Sequence, residues 1–405
     1  MSYVEDNLNT GRILLPDLVR AFALLGIVLV NIAYIAYPAE LTYHAGGMNT
    51  WLDKAADFGV NALFSLKSYT LFAFMFGVGL AYQMHSAERH NRRFGPVYFR
   101  RLLGLILIGM LHVTLAFSGD ILIVYGLLGA VLYLFRNASQ KTLLVTGVTL
   151  VVIQFLIAAG LAVFLYLGEL HVPDEMKLMA TEIQQSTELA IAINTNGDFL
   201  TLVKRRWYDW VALLQVAIPM QGPGIFGFIL FGLAAVRSGV LTDPEAALWA
   251  KSRRVYLPIG VLLSVVGAAI LTLSHYPISS SALLGYALIV LAAPFSSLGY
   301  IGLIAKWSEG PVTPLKEFAA RGGSASLTAY LLQSVILSFI FTGYGLDMYA
   351  KLSAFSCIAI ALLVGLFTLT FTSLWRARFK RGPMELILRQ WTYLGHSQQT
   401  SKAVT

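Results

Sequence analysis

Cysteine and charge are the two things this 405-residue chain has least of, and each shortage closes off a class of answers. A single cysteine, Cys357, excludes an intramolecular disulfide and leaves no thiol cluster to hold a metal, so redox chemistry does not constrain which compartment any loop faces. Only 12% of the residues are charged against 57% hydrophobic, a balance at which a water-soluble globule could not hide its apolar surface. The signatures of soluble enzymes are missing too. There is no Walker A loop, no Rossmann fingerprint after a strand, no HExxH and no nucleophile elbow. The composition places the chain in a lipid bilayer.

What the chain does have is a series of apolar runs at 13–37, 58–82, 101–117, 120–135, 142–167, 207–236, 255–273, 282–305, 324–342 and 352–375. A helix needs about 20 residues to cross hydrocarbon, so the pattern predicts an all-α polytopic membrane protein of about ten transmembrane helices. The first run is too long, and too polar near its start, for a cleaved signal peptide and is expected to stay as a helix. The run at 207–236 is overlong and interrupted at Gly222-Pro223-Gly224; it reads as one broken helix or as an interfacial helix followed by a span. With a cytoplasmic N-terminus, 21 of the 29 Lys and Arg fall on that side, Arg12, Arg92, Arg100 and Arg101 among them, and 6 on the other, Arg20 and Lys67 lying inside spans. The positive-inside rule then puts both termini in the cytoplasm. The net charge of +8 is accounted for by this topology, with no nucleic-acid partner. One long polar stretch, 169–206, carries Met176, Met179 and Ile183 at helical spacing and is expected outside, an amphipathic loop of helices lying on the outer surface. It separates an N-terminal five-helix transmembrane half, 1–168, from a C-terminal transmembrane half, 207–395, with a cytoplasmic tail at 396–405.

Polar groups inside these runs need a partner or a wet cavity, because a charge near the bilayer centre costs about 2.5–3.5 kcal/mol on insertion scales. Asp17 and Arg20 share a helix face and read as a structural ion pair or as a site for an anionic substrate or donor. Asn31 lies on that face about three turns beyond Arg20. Lys67 sits too deep for easy snorkelling. Gln333, in the middle of its run, reads as a substrate contact or an interhelical one. The runs at 101–117 and 120–135 are joined by Ser118 and Gly119 alone, which predicts a tight hairpin turning on the outside, with His112 about 9 Å below the turn and Tyr125 at similar depth. Asp120 opens the second helix and is placed to cap it. His112 has no capping duty. It is either a buried neutral imidazole bonded to a carbonyl or to Tyr125, or a proton-handling group opening toward an outer cavity near Asp120 and Lys67. His44, in LTYHAGGMNTW, is the alternative histidine and is expected to be exposed in an outer loop.

Four stretches carry a family likeness: PDLVRAFALLGIVLVNI at 16–32, LFAFMFGVGL at 71–80, RRLLGLILIGMLHVTLAFSGDILIVYGLLGAVL at 100–132, and RGGSASLTAYLLQSVI at 321–336 paired with RGPMELILRQWTY at 381–393. Together they resemble the YeiB-like family of bacterial inner-membrane proteins, whose C-terminal half is a domain of unknown function. The resemblance implies a multi-pass protein of the inner membrane. Where the family usually has Arg-Gly in the first motif, this chain has Arg20-Ala21, which slightly fills a position built for close helix approach. The first motif is also similar to the opening helix of polytopic acyltransferases, including the lysosomal type that moves an acetyl group from cytosolic acetyl-CoA to a sugar amine on the far side. That likeness rests on Asp17, Arg20 and Asn31, and in that group a histidine after the first span is functional, which by order is His44. It implies an acyl group passed to a hydroxyl or amine acceptor, lipid- or sugar-borne or a small molecule, at or across the membrane. His112 or His44, with Asp120, would handle the proton, Tyr125 and Gln333 would contact substrate, and acyl-CoA would be the donor. A small-molecule transporter using Asp17, Arg20, Lys67 and His112 stays open, favoured by the interruption at 222–224. So does a non-catalytic scaffold or sensor. Oligomeric state is not written in the sequence.

Overall fold

The computed structural model describes residues 13–89, 93–274, 276 and 278–394, and every regular element among them is helical. Arg12, Arg92 and the tail at 396–405 lie outside the described residues. Helix α1 (Leu15–Ala36) carries Pro16 in its first turn, where a missing N–H is no loss. Helix α2 (Trp51–Leu63) opens on a capping box, in which Asp53 N donates to Thr50 Oγ1 at 3.3 Å and Thr50 N donates to Asp53 Oδ2 at 2.9 Å. It is divided from α3 (Lys67–Arg89) at Leu66, whose φ of 64° is the left-handed conformation that a continuous helix cannot contain. Then come α4 (Phe94–Leu115), α5 (Leu122–Leu134), α6 (Gln140–His171), α7 (Pro173–Asn196) and α8 (Phe199–Arg237). The chain continues through α9 (Ala247–Leu273), α10 (Ser280–Ser308), α11 (Pro314–Gly323), α12 (Ser326–Phe341), α13 (Ala354–Arg378) and α14 (Pro383–Thr392).

Eight stretches are long and apolar enough to cross a membrane: α1, α2 with α3, α4, α6, α8, α9, α10 and α13. Helices α11 and α12 pass that test only as a pair bent by 76°, which would make nine. At 13 residues, α5 is about 20 Å long and cannot span about 30 Å of hydrocarbon alone. Each of the ten apolar runs thus falls on a helix of an all-α polytopic fold, although not every run is a simple span. Two local expectations change. Helix α4 ends at Leu115 and α5 begins at Leu122, so the whole stretch 116–121 makes the connection and the turn is wider than Ser118-Gly119. Helix α8 runs unbroken for 39 residues through Pro219 and Pro223. In a membrane helix the groups a proline frees are re-satisfied by neighbouring elements. Here α6 lies so close that a Cβ on Gly224 would stand 1.6 Å from Gln154 Oε1. The stretch 169–206 is helix nearly throughout, as its spacing predicts, with α6 extending to His171, α7 following and α8 starting at Phe199.

Without a hydrophobic force between helices in lipid, close backbone approach is what holds them. Helices α3 and α8 meet in this way. A Cβ on Gly77 would stand 1.9 Å from Ile229 O, and one on Gly232 would stand 1.9 Å from Phe74 O. At the face where α1 and α4 begin, Gly323 packs on the backbone of Asp17 and Ala21, so the close approach that Ala21 partly fills is supplied by a glycine on α11. On this face α14 anchors the bend before α12: Leu327 N and Thr328 N donate to Glu385 Oε1 at 2.8 and 3.2 Å, a carboxylate at a helix N-terminus. Across the opposite face α7 touches three loops. Ser186 Oγ donates to Glu40 Oε1, Tyr276 OH to Ala180 O, and Gly343 N to Asn194 O.

Candidate functional site

A cavity of about 420 Å³, within the ~300–1,000 Å³ usual for small-molecule sites, opens among α1, α3, α4, α5, α12 and α14. Arg20, Arg101, Arg381 and Arg389 line it where α1 and α4 begin and α14 lies, with Glu385 in the lining beside them. Further in, the lining turns apolar and aromatic through Phe72, Phe76, Tyr125 and Tyr330. The cavity is therefore polarised, cationic at one end and greasy at the other. Arg20 also keeps the partner expected of it, donating from Nη1 to Asp17 Oδ1 at 2.8 Å.

Behind the inner end stand His112 and Asp120, 4% exposed each. The His112 Nδ1 and Asp120 Oδ2 atoms are 2.7 Å apart, while Asp120 Oδ1 accepts from Ile123 N at 3.0 Å. One carboxylate thus caps α5 and grips the imidazole. A carboxylate on Nδ1 fixes the tautomer with Nδ1–H and leaves Nε2 as a base. His112 Nε2 is buried with no hydrogen-bond partner among the described residues. Tyr330 separates this pair from the cavity, its ring 5.2 Å from the imidazole, and Ile121, next to Asp120, also lines the cavity. The wide 116–121 connection is what lets Asp120 fold back onto His112.

The remaining expected residues are dispersed. Tyr125 lines the cavity, but its hydroxyl donates to Tyr69 O at 3.1 Å rather than to His112. Lys67 is fully buried at the break before α3, its Nζ donating to Asn61 O at 3.3 Å, and Asn61 Nδ2 in turn donates to Asp57 Oδ2 at 2.9 Å. The cavity lies toward the arginines, not toward Lys67. Gln333 makes interhelical contacts, to Leu24 O on α1 and Thr368 Oγ1 on α13 at 3.3 Å each. Asn31 is half-buried on α1, outside the cavity lining. His44 lies in a single 3-10 turn and is half-buried rather than exposed; burial, with the Lys54 charge adding to it, lowers its pKa. Sequence reasoning missed Tyr330, Arg101, Arg381 and Arg389 as site residues. Arg381 and Arg389 were visible in RGPMELILRQWTY, but nothing local says that this segment docks beside α4.

Residues 235–395 match the family described as "Protein of unknown function (DUF418)". Over 416 residues the chain is 30% identical to the uncharacterized protein YxaH of Bacillus subtilis (strain 168), covering 97% of each. It is 29% identical over 403 residues to the uncharacterized protein YeiB of Escherichia coli (strain K12), covering 95% of this chain and 97% of that one. An uncharacterized 39.9 kDa protein of Bacillus acidopullulyticus is similar at 23% identity, covering 93% and 92%. No solved structure matches. With nearly its whole length aligned to such relatives and its C-terminal part to the DUF418 family, this multi-pass helical chain belongs to the YeiB-like family.

Proposed function

We propose that the protein is an inner-membrane acyltransferase, with its arginine-lined face in the cytoplasm as the charge distribution favours. A donor whose phosphates sit among Arg20, Arg101, Arg381 and Arg389 would lay its acyl end toward Tyr330, an arrangement that suits acyl-CoA. His112 Nε2 takes the proton from an acceptor hydroxyl or amine as its oxygen or nitrogen bonds to the acyl carbon. The carbon–sulfur bond breaks, and the imidazolium returns the proton to the leaving thiolate. Asp120 holds the tautomer and stabilises the transient imidazolium. The single observation carrying this reading is the His112–Asp120 pair, with Nε2 buried and unpartnered one side chain behind a polarised cavity.

The test is CoA binding and acyl-CoA turnover on purified protein. Arg101→Gln and Arg389→Gln should weaken CoA binding. His112→Gln should keep binding and lose transfer. Asp120→Asn should behave like His112→Gln while still folding, because the amide oxygen can cap α5 but its NH₂ opposes the Nδ1–H tautomer. A wild-type protein that binds no CoA overturns the reading.

A transporter is the second reading. The unbroken α8 removes the support that 222–224 was expected to lend, but the break at Leu66, with buried Lys67 opening α3, restores some, since discontinuous helices form carrier sites. Solute counterflow in proteoliposomes without acyl turnover would favour it.

A further inference from the structure

On the side of His112 away from the arginine-lined cavity, we infer that Arg206 holds a phosphate group carried by the acceptor. That the phosphate belongs to the acceptor rests on the transfer reading above; binding of a phosphate at Arg206 does not.

Arg206, on α8, is 5% exposed. Its Nη1 donates to Thr114 O at 3.2 Å, and its Nη2 to Ser338 Oγ at 3.0 Å and Tyr344 OH at 3.1 Å. All three partners are neutral. Among the described residues no carboxylate lies within 4.0 Å of this guanidinium, because the neighbouring acids are taken by Arg205, which pairs with Glu40 at 3.1 Å and Asp209 at 2.7 Å. A cation removed from water without a counter-ion is unfavourable, and an entering anion relieves that cost. Ser338 Oγ and Tyr344 OH also bond to each other, and an entering phosphate would take over that contact, meeting a planar guanidinium and two hydroxyls as a donor set that matches its oxygens.

The location ties this group to the proposed reaction. Thr114 lies just past His112 on α4, and Ser338 belongs to α12, the helix whose Tyr330 packs on the imidazole. The depth points to phosphate rather than another anion. Trp207 donates from Nε1 to Thr114 Oγ1 at 3.2 Å, Trp207 and Trp210 stack edge to face at 5.5 Å, and Tyr208 is 64% exposed. Such aromatics mark the headgroup level of a bilayer, where lipid phosphates lie. Overhead, the end of α7 is bonded to Gly343, the residue before Tyr344, and Tyr344 itself is 43% exposed, so the group lies within reach of a ligand at the headgroup level.

The probes are phosphatidylglycerol and inorganic phosphate, titrated separately into protein held in a maltoside detergent, which carries no phosphate. Arg101→Gln is run in parallel so that anion held by the cavity arginines is subtracted, and CoA binding is read separately, so a failure there removes the transfer reading alone. Phosphatidylglycerol should bind the wild type, and Arg206→Gln should weaken it by about tenfold or more, as loss of a charge-assisted hydrogen bond does. Binding of the lipid alone assigns a lipid-borne phosphate; binding of both probes shows that the free group suffices. If Arg206→Gln does not fold, Arg206→Lys and Tyr344→Phe replace it, and each should weaken binding. No binding of either probe to the wild type, or affinity unchanged in the variants, overturns the inference.

Discussion

A single side chain, Asp120, does two jobs with its two oxygens, one on the amide of Ile123 and one on His112. Capping alone would have accounted for it, so the sequence placed Asp120 near His112 without revealing their hydrogen bond: i,i+8 contacts arise only once the 116–121 connection has folded back. The Asp17–Arg20 pair, by contrast, was legible, since spacing on one helix is enough to bring two such residues together. His44 yields a prediction of its own. Its folded pKa is lowered below the ordinary value of about 6.5, so above that pH neither state is protonated and the residue is neutral to stability. Below it, the unfolded chain takes up a proton that the folded one resists, and stability falls with pH until the folded pKa is reached. Replacing His44 with Gln should remove this loss. Melting temperatures compared at about pH 7.5 and about pH 5.5 should fall further for the wild type than for the variant, and an equal fall in both would show that the imidazole is not held neutral.

Among the elements, α3 offers a controlled comparison. Gly77 and Gly79 lie on the same helix, and alanine at either raises helix propensity by about 1 kcal/mol. Yet a Cβ on Gly77 meets Ile229 O at 1.9 Å, whereas one on Gly79 meets nothing within 4 Å. Gly77→Ala should therefore lower the melting temperature and Gly79→Ala hold or raise it, as thermal unfolding in detergent would show; a gain from both would mean that the α3–α8 seam is looser than described. The helices themselves were readable because apolar runs of membrane length leave little alternative. Their interruptions were not. At 222–224 the local signs of a break, Gly-Pro-Gly, were overridden by packing against Gln154. At Ser324–Ala325 no proline announces the 76° bend, and Glu385, remote in sequence, caps the helix that starts after it. Arg101, Arg381 and Arg389 were hidden for the same reason, coming from α4, the segment before α14 and α14 itself.

At the scale of the whole molecule, orientation can be checked with added thiols. Cys357 is fully buried, so cysteines at Lys177 on α7 and Lys380 after α13, both exposed, would report alone. In intact cells an impermeant maleimide should label Lys177→Cys and spare Lys380→Cys; the reverse pattern would invert the assigned sides. The polarised cavity has an electrical consequence as well. Filled with water and ions, it carries the potential of the arginine-lined side deep into the protein. The drop across the membrane is then squeezed into the thin layer containing Tyr330 and His112. A charge moving through the full drop exchanges about 2.3 kcal/mol per 100 mV, and a proton passing on or off His112 would feel a disproportionate share of it. Under the proposed transfer, turnover in proteoliposomes should change when a potassium gradient and valinomycin set the voltage, and the protein would then read the membrane's energised state.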